Sequence, residues 1–302
     1  MSNWQTIGVR LSEMSEAAPQ KTRPSTIRAV VAASCATALY AAPTIAEEAP
    51  TLNGFVVFGP AVAPEFEGAD AYEPVPGFVG FVEYDGRTAL LTPSDLDVDL
   101  ARSQRLTIGP SFSYRFARDD VDDARVDRLN DVDAAFEIGA NIGLNYGALL
   151  DEGDGLSLGL RLTQDVADGH GGFVARGSAS YAYPATEKLL LTGGVEITAV
   201  SDDYAESYFS VDGAEAARSG LSAFDAEGGF RDVKLSLRAD YALSERWGVG
   251  AYASYARLVG DFADSSIVDD AGSANQLFGL IGLQYRFSGR ARLRRFIGRF
   301  PT

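Results

Sequence analysis

The stretch from Asp133 to Asp151 alternates apolar and polar residues with a period of two. One face carries Ala134, Phe136, Ile138, Ala140, Ile142, Leu144 and Tyr146, and the other carries Glu137, Gly139, Asn141, Gly143, Asn145 and Gly147. Only a β-strand has this period. At about 3.3 Å per residue, such a strand is long for a globular sheet. The pattern is typical of a membrane β-barrel, whose apolar face contacts lipid and whose polar face lines the lumen.

The same alternation recurs along the chain. Leucines from Leu156 to Leu162 alternate with Ser157, Gly159 and Arg161, and the segment from Gln104 to Phe116 repeats the pattern. Twelve segments qualify as strands, the first beginning at Asn53 and the last running from Ala274 to Phe287. We therefore predict an all-β fold, a closed antiparallel transmembrane β-barrel of about 12 strands, within residues 47–287.

The connections between these strands fall into two groups. An even strand count places both ends of a bacterial barrel on the periplasmic side. The tight turns then fall on that side: Asp85-Gly86, Asp151 to Asp154, Pro184 to Glu187 and Leu243 to Arg246. The long acidic stretches, interpreted as loops over 117–130, 201–225 and 259–273, fall on the outer side. Outward aromatic residues group near strand ends, as in the interfacial girdles of membrane barrels.

Residues 1–46 have the organisation of a secretory signal peptide. Arg23 and Arg28 precede an apolar run from Ala29 to Ala42, and small residues follow as far as Ala46. We expect cleavage after Ala46 or after Ala42. Residues 1–13 look superfluous, which makes Met14 a candidate start. The single cysteine, Cys35, lies in this segment, so we expect neither a disulfide nor a thiol nucleophile in the mature chain.

The charge balance restricts the partners of the chain. The formal net charge is −16, although residues 1–46 are net basic. Nucleic acid is therefore not an expected partner, because phosphate binding requires a basic surface. Residues 288–302 form a basic tail, with Arg290, Arg292, Arg294, Arg295 and Arg299. We interpret the tail as a solvated extension or as a contact for an acidic periplasmic partner.

Eight charged residues occupy inward positions of the predicted strands. They are Arg115, Glu137, Arg161, Arg176, Glu196, Lys234, Arg238 and Asp240. Two interpretations follow for these candidate lumen-lining residues. They line a narrow polar pore for small solutes, or they pair across the lumen and plug it.

The sequence offers little that resembles catalytic chemistry. His170, the single histidine, follows Asp168 in a glycine-rich turn, and no nucleophile–histidine–acid constellation is recognisable around it in the sequence. We predict that His170 is a turn residue beside the outer rim. The acidic run from Asp119 to Asp123 lacks the spacing of a calcium loop. We therefore predict no enzymatic activity, no catalytic residue, no metal site and no cofactor.

Several motifs occur in a characteristic order. They are Pro64 to Tyr72 (PEFEGADAY), Val75-Pro76, Ile108 to Pro110, Gly169 to Gly172 (GHGG), Tyr208 to Val211 (YFSV), Arg257 to Ile267 (RLVGDFADSSI) and Tyr285 to Phe287 (YRF). This set resembles the MipA/OmpV family of MltA-interacting outer-membrane proteins, over about Asn53 to Phe287. The chain departs from the pattern at Ser266, where the family often has proline, and at Ser210, where glycine is usual.

The resemblance implies a location in the cell outer membrane, among lipid and lipopolysaccharide. It also implies a non-enzymatic scaffold that links to murein-remodelling enzymes, namely a lytic transglycosylase and a murein polymerase. A porin-like channel for small solutes is the alternative. The aromatic end of the last strand, Tyr285 and Phe287, resembles the signal that barrel-assembly machinery recognises. The oligomeric state stays open.

Overall fold

Twelve strands form a closed ring, and most of them alternate exposed apolar residues with covered polar or small ones. The computed structural model describes residues 51–151 and 153–290; the predicted signal segment 1–46 and residues 291–302 of the basic tail lie outside these described ranges. The strands are β1 (Thr51–Pro64), β2 (Tyr72–Tyr84), β3 (Arg87–Leu91), β4 (Asp95–Asp99), β5 (Leu106–Arg115), β6 (Ala135–Gly147), β7 (Gly155–Asp165), β8 (Phe173–Pro184), β9 (Leu189–Val200), β10 (Gly229–Ala242), β11 (Trp247–Leu258) and β12 (Asn275–Arg290).

Each strand pairs with its neighbours in the sequence, and β1 closes the ring by pairing with β12. All pairings are antiparallel, and the closing register places Thr51 opposite Arg290 and Val62 opposite Gly279. The closed 12-strand barrel predicted from the sequence is thereby confirmed. The last strand extends to Arg290, three residues beyond the predicted end at Phe287, because residues 288–290 pair with the start of β1.

The apolar face of each strand is uncovered by other parts of the described chain. Leu160 is 65 % exposed and Ile281 57 %, and Ile138, Ile142 and Leu144 of β6 are exposed in the same way. A soluble sheet would bury such residues under a second layer, so this belt of leucine, isoleucine and valine is the surface that meets hydrocarbon. The prediction that the even-numbered residues around Phe136 face lipid is therefore correct.

The two ends of the barrel differ in their connections. At one end, here called the terminal end, lie Thr51 and Arg290 together with the tight turns. At the Asp85-Gly86 turn both residues have positive φ, 53° and 71°, as a type I′ hairpin requires. In the turn before β7, the Tyr181 phenol and the N–H groups of residues 149–151 hold the pKa of Asp154 down to about 2.

The opposite end, here called the loop end, carries the long connections, and they contain helices. These are α1 (Asp202–Phe209), α2 (Gly213–Ser219), α3 (Asp261–Asp264) and α4 (Ser266–Asp269), with a 3₁₀ turn at Val126–Arg128. The prediction of loops over 201–225 and 259–273 missed these helices. Ser201 caps α1, and Asp212 and Glu215 form a capping box at α2, which Gly220 ends in the left-handed conformation. None of the helices described is long and apolar enough to cross a membrane.

The hairpin of β3 and β4 is much shorter than its neighbours. Each of the two strands has five residues, and β3 pairs only with Gly80–Tyr84 of β2. Residues 72–79 of β2 consequently pair with β1 but with no described strand on their other side. This part of β2 contains Pro74 and Pro76, in keeping with the tolerance of strand edges for proline.

The lipid-facing belt can be tested by a charge placed in it. We expect Leu160→Arg to lower the free energy of unfolding by about 2–4 kcal/mol, because a guanidinium near the bilayer centre loses its hydration. Leu150→Arg is the matched control, since Leu150 lies in a turn at the terminal end and is 78 % exposed. Denaturant titration in lipid vesicles measures both variants; equal effects would contradict the assignment of this belt to lipid.

Candidate functional site

A cavity of about 1030 Å³ lies inside the barrel. Four acidic and four basic side chains line it: Asp95, Asp97, Asp99 and Glu196, and Arg161, Arg176, Lys234 and Arg238. It extends from Ser103, in the turn before β5 at the terminal end, up to Gln276 near the loop end. A second cavity of about 410 Å³ lies towards the loop end, under the long connections. The lumen is thus a concave region lined by balanced charges.

Six of the eight predicted lumen residues form ion pairs with one another. Lys234 and Glu196 are register partners on β10 and β9, with Nζ and Oε1 2.5 Å apart. Arg238 binds Asp240 two residues along the same strand, with Nε 2.7 Å from Oδ2. Arg115 on β5 binds Glu137 on the adjacent β6. These pairs lie along the wall, so they neutralise charge without crossing the lumen.

The other two predicted residues, Arg161 and Arg176, bind the acidic strand β4. Asp95 forms ion pairs with both, at 2.9 Å from Arg161 Nη1 and 3.1 Å from Arg176 Nη1. Arg161 also lies 3.4 Å from Asp97. These arginines project from β7 and β8 and reach past β5 and β6 to β4. Here charges pair across a corner of the lumen.

Sequence reasoning missed Asp95, Asp97 and Asp99, although the signal was present. The three aspartates occupy every second position of β4, so they share one face of the strand. The serines of β5 satisfy two of them, because Ser113 Oγ donates to Asp95 and Ser111 Oγ to Asp97. Backbone N–H groups of Ala101 and Ile108 satisfy Asp99.

Tyr204, on α1, lies at the centre of the loop end. Its Oη lies 3.1 Å from Arg115 Nη1 and 2.7 Å from Arg231 Nη1, and it donates to Glu67. Arg231 also binds Glu67 and Asp232. The three partners come from β5, from β10 and from the β1–β2 connection, which lie about a third of the ring apart. A side chain that contacts all three must lie in the middle of the barrel mouth.

His170 lies in the predicted turn between β7 and β8 at the loop end, but it is buried in this network. Its Nδ1 accepts from the N–H of Gly172 at 3.1 Å, which leaves the ring proton on Nε2. Nε2 then donates to Glu137 Oε1 at 3.1 Å. The ring also packs on Tyr204 and Tyr208, with centroids 4.9 and 5.8 Å apart. Burial occurs because the long connections fold over the mouth and cover the turn.

These connections form a packed layer, here called the cap. Two clusters of buried apolar side chains hold it together: Val132, Val174, Val200, Tyr204, Ala205, Tyr208, Phe209, Ala226, Leu258, Phe262 and Val268 in one, and Val126, Leu129, Val211, Leu221, Ile267 and Ala271 in the other. Ser265 donates to the carbonyl of Phe209, and Ser266 donates to that of Ser222. The acidic loops are therefore a folded layer over the barrel.

Burial perturbs the ionisable groups of the cap. It raises the pKa of the Tyr208 phenol to about 12, and it raises the pKa of Tyr204 further. Burial also lowers the pKa of Arg118, whose Nη1 donates to the carbonyl of Tyr208. The Tyr208 Oη has no hydrogen-bond partner among the described residues. Tyr208 therefore contributes an apolar ring to the packing of the cap, while its hydroxyl group forms no hydrogen bond with the described residues.

Tyr285 and Phe287, the predicted barrel-assembly signal, lie on β12 at the terminal end. The Tyr285 ring packs on Trp247 with centroids 4.9 Å apart, and Phe287 is opposite Gly54 in the register with β1. Both aromatic side chains are only partly covered. Within 51–151 and 153–290, no group of three or more His, Cys, Asp and Glu residues has an arrangement that would hold a metal ion.

Comparison with known proteins identifies a family. The family model described as "MltA-interacting protein MipA" matches residues 56–287. No curated protein matches the sequence of the chain. The match, the closed ring and the exposed apolar belt place this chain in the cell outer membrane.

Solved structures resemble the chain in fold alone. The NanC porin is 10 % identical with a TM-score of 0.40, covering 79 % of this chain and 99 % of that one. The outer membrane channel DcaP of Acinetobacter baumannii is 10 % identical with a TM-score of 0.36, covering 82 % and 100 %. The translocator domain of autotransporter NalP from Neisseria meningitidis is 13 % identical with a TM-score of 0.35, covering 86 % and 95 %. Likenesses this distant carry no argument about function.

The two cap tyrosines should respond oppositely to loss of the hydroxyl. Tyr204→Phe removes three polar contacts and should destabilise the cap by about 1–3 kcal/mol. Tyr208→Phe removes a buried hydroxyl without a partner and should stabilise it by about 1 kcal/mol at neutral pH. Hydrogen exchange of residues 202–219 measures both effects.

The raised pKa of Tyr208 adds a pH dependence to this comparison. A phenol whose pKa is raised on folding stabilises the cap below its unfolded pKa of about 10, and this contribution is lost as the pH rises towards 12. The wild-type cap should therefore loosen over that interval, and the Tyr208→Phe cap should loosen less. Equal loosening of both proteins would contradict the assignment.

Proposed function

The chain belongs to the family of the MltA-interacting protein MipA, and on that premise we propose that it is a non-enzymatic scaffold of the outer membrane. In this proposal the barrel is closed by its cap at the outer face and holds murein-remodelling enzymes at the periplasmic face. The even number of strands supports the orientation, because it leaves the termini and the tight turns towards the periplasm.

The position of Tyr204 is the observation that carries the proposal. A side chain in the middle of the mouth, bound to Arg115, Arg231 and Glu67, ties three sides of the barrel together. The apolar clusters of the cap fill the space around it. Such a layer supports a structural role better than free passage of solutes.

The environment of His170 supports the absence of catalysis. Both ring nitrogens have partners, one in the backbone of Gly172 and one in Glu137, and the side chain is buried. A general base needs a free ring nitrogen next to a nucleophile or a water. His170 therefore serves the cap as a structural residue in this proposal.

The terminal end is the proposed face for a partner. It is the only end that a periplasmic murein enzyme would reach in the proposed orientation. The basic residues Arg292, Arg294, Arg295 and Arg299 follow directly after β12, and an acidic partner surface would complement them. The MltA named in the family description is the candidate partner class.

A porin-like channel remains the second candidate, and the cavity inside the barrel favours it. Its volume of about 1030 Å³ and its charged lining would suit a small polar solute, provided that the cap opened.

Conductance in planar bilayers separates the two candidates. We expect no stable open steps from the wild-type barrel, because the cap occupies the mouth. Replacing residues 202–219 by a flexible Gly/Ser linker removes Tyr204 with α1 and α2 and should produce steady open steps. A difference in gel mobility between unheated and heated samples shows that the variant barrel is folded. Stable steps from the wild type would favour the channel and overturn closure by the cap.

Binding to an MltA-type lytic transglycosylase tests the scaffold itself. We expect the barrel in lipid nanodiscs to bind the purified enzyme, and we expect deletion of residues 291–302 to weaken binding about tenfold or more through loss of charge complementarity. The deletion spares β12, which pairs with β1 as far as Arg290. Changing the four tail arginines to lysine is the matched control and should preserve binding. No interaction with the wild type would exclude the scaffold role.

A further inference from the structure

The wall of the barrel has an opening beside the short hairpin of β3 and β4. Towards the loop end, residues 72–79 of β2 and the end of β5 from Arg115 onwards pair with no described strand on the sides that face each other. The order β2-β3-β4-β5 places three strand spacings between these borders, which is about 14 Å at about 4.8 Å each. Backbone hydrogen bonds do not close an opening of this width, here called the window.

Two further contacts frame the window. Towards the terminal end it is bounded by the tip of the hairpin, where the carbonyl of Ser94 accepts from the N–H of Tyr114 at 2.8 Å. At the loop end, Glu65 Oε1 of the β1–β2 connection accepts from the N–H of Asp122 in the β5–β6 connection at 2.7 Å. The window is thus a bounded hole in the wall, and the ring remains closed below it.

The window lies at the depth of the apolar belt. Next to it on β1, Phe58 is opposite Phe78 and Val62 is opposite Pro74 in the register with β2, and both β1 side chains are exposed. On the other border, Phe116 is exposed on the lipid side of β5. Because the belt continues along both borders, acyl chains of the bilayer reach the window.

Two prolines lower the cost of leaving this border of β2 open. Pro74 and Pro76 are two positions apart, so their backbone nitrogens point to the same side of the strand. Neither nitrogen carries a hydrogen that would need a partner in hydrocarbon. The border is therefore compatible with lipid beside it.

The lumen is apolar directly behind the window. Leu90 is the register partner of Phe81 on β2 and of Asp97 on β4, and all three line the larger cavity. Leu90 is 39 % exposed, and Val79 and Phe81 are partly exposed beside it. Water solvates such a surface poorly, whereas contact with a hydrocarbon chain would bury it.

Both cavities reach the window. The larger one is lined by Leu90 and by Pro93 and Ser94 at the hairpin tip, and the smaller one by Ser94, Tyr114 and Phe116. Tyr114 and Phe116 are exposed on the outward face of the wall, so the smaller cavity extends from the lumen to the lipid side. A continuous path therefore connects the apolar belt with Leu90.

We propose that the window admits the acyl chain of a lipid from the outer leaflet into the lumen, where the chain lies on Leu90, Val79 and Phe81. Apolar surface binds the chain, so the site places no requirement on the lipid head group. This lipid site goes beyond the scaffold role and does not depend on conduction, because the chain enters from the side while the cap stays closed.

Quenching of tryptophan fluorescence by brominated acyl chains tests this site. The substitutions Trp4→Phe and Trp247→Phe remove both native tryptophans, and one tryptophan is then introduced at a chosen position. Leu90→Trp reports on the lumen behind the window. Ser178→Trp is the matched control, since Ser178 lines the same cavity from β8, where both neighbouring strands are paired. Leu160→Trp reports full contact with lipid.

The variants are compared in vesicles of phosphatidylcholine with and without bromine on the acyl chains. We expect Leu90→Trp to be quenched about threefold or more strongly than Ser178→Trp and nearly as strongly as Leu160→Trp, because quenching requires contact with the chain. A difference in gel mobility between unheated and heated samples shows which variants are folded. Equal quenching of Leu90→Trp and Ser178→Trp would overturn the proposal.

Photocrosslinking of the wild-type chain keeps the test decisive if Leu90→Trp misfolds. The chain is irradiated in vesicles of phosphatidylcholine with a diazirine near the end of one acyl chain, and mass spectrometry locates the adducts. We expect adducts at Leu90, Val79 or Phe81 in addition to outward residues such as Leu160. Adducts confined to the outward face would contradict entry of the chain. Neither result bears on enzyme binding or conductance.

Discussion

The structure depends on the need to pair backbone N–H and C=O groups inside hydrocarbon. An open sheet would leave two edges without partners, so the chain closes, and the pairing of β1 with β12 completes the ring. Closure then fixes which side chains face lipid and which face the lumen, because neighbours alternate between the two. The apolar belt around Leu160 and the charged interior around Arg161 are consequences of the same ladder.

Charged side chains inside the ring form ion pairs mainly with side chains of the same strand or of the adjacent strand. Lys234 and Glu196 are register partners, and Arg115 reaches Glu137 on the next strand. Pairing along the wall limits desolvation and leaves a cavity in the middle. Contacts towards the centre occur mainly at the mouth, where Tyr204 forms hydrogen bonds with Arg115, Arg231 and Glu67. The barrel is therefore hollow within its wall and filled where the cap meets it.

The sequence predicted the wall much better than the cap. The alternation predicted the twelve strands and the inward direction of residues such as Glu137, because a period of two can be recognised within a few residues of sequence. The helices α1 and α2 were missed, although Ser201 and the capping box of Asp212 and Glu215 are local signals. The contacts of Tyr204 with Glu67 and Arg115 span 137 and 89 positions, so they follow only from the closed ring. The resemblance motifs around Gly68, His170, Phe209 and Phe262 prove to be cap segments.

The short hairpin of β3 and β4 has a consequence for how the barrel meets its neighbours. It leaves residues 72–79 of β2 as a free strand border within an otherwise continuous wall. A strand from another protein could extend the sheet only along such a border. Pro74 and Pro76 remove two of the N–H groups that it would need. Pro74 and Pro76 thus protect the free border of β2 against the unwanted addition of a strand from another protein.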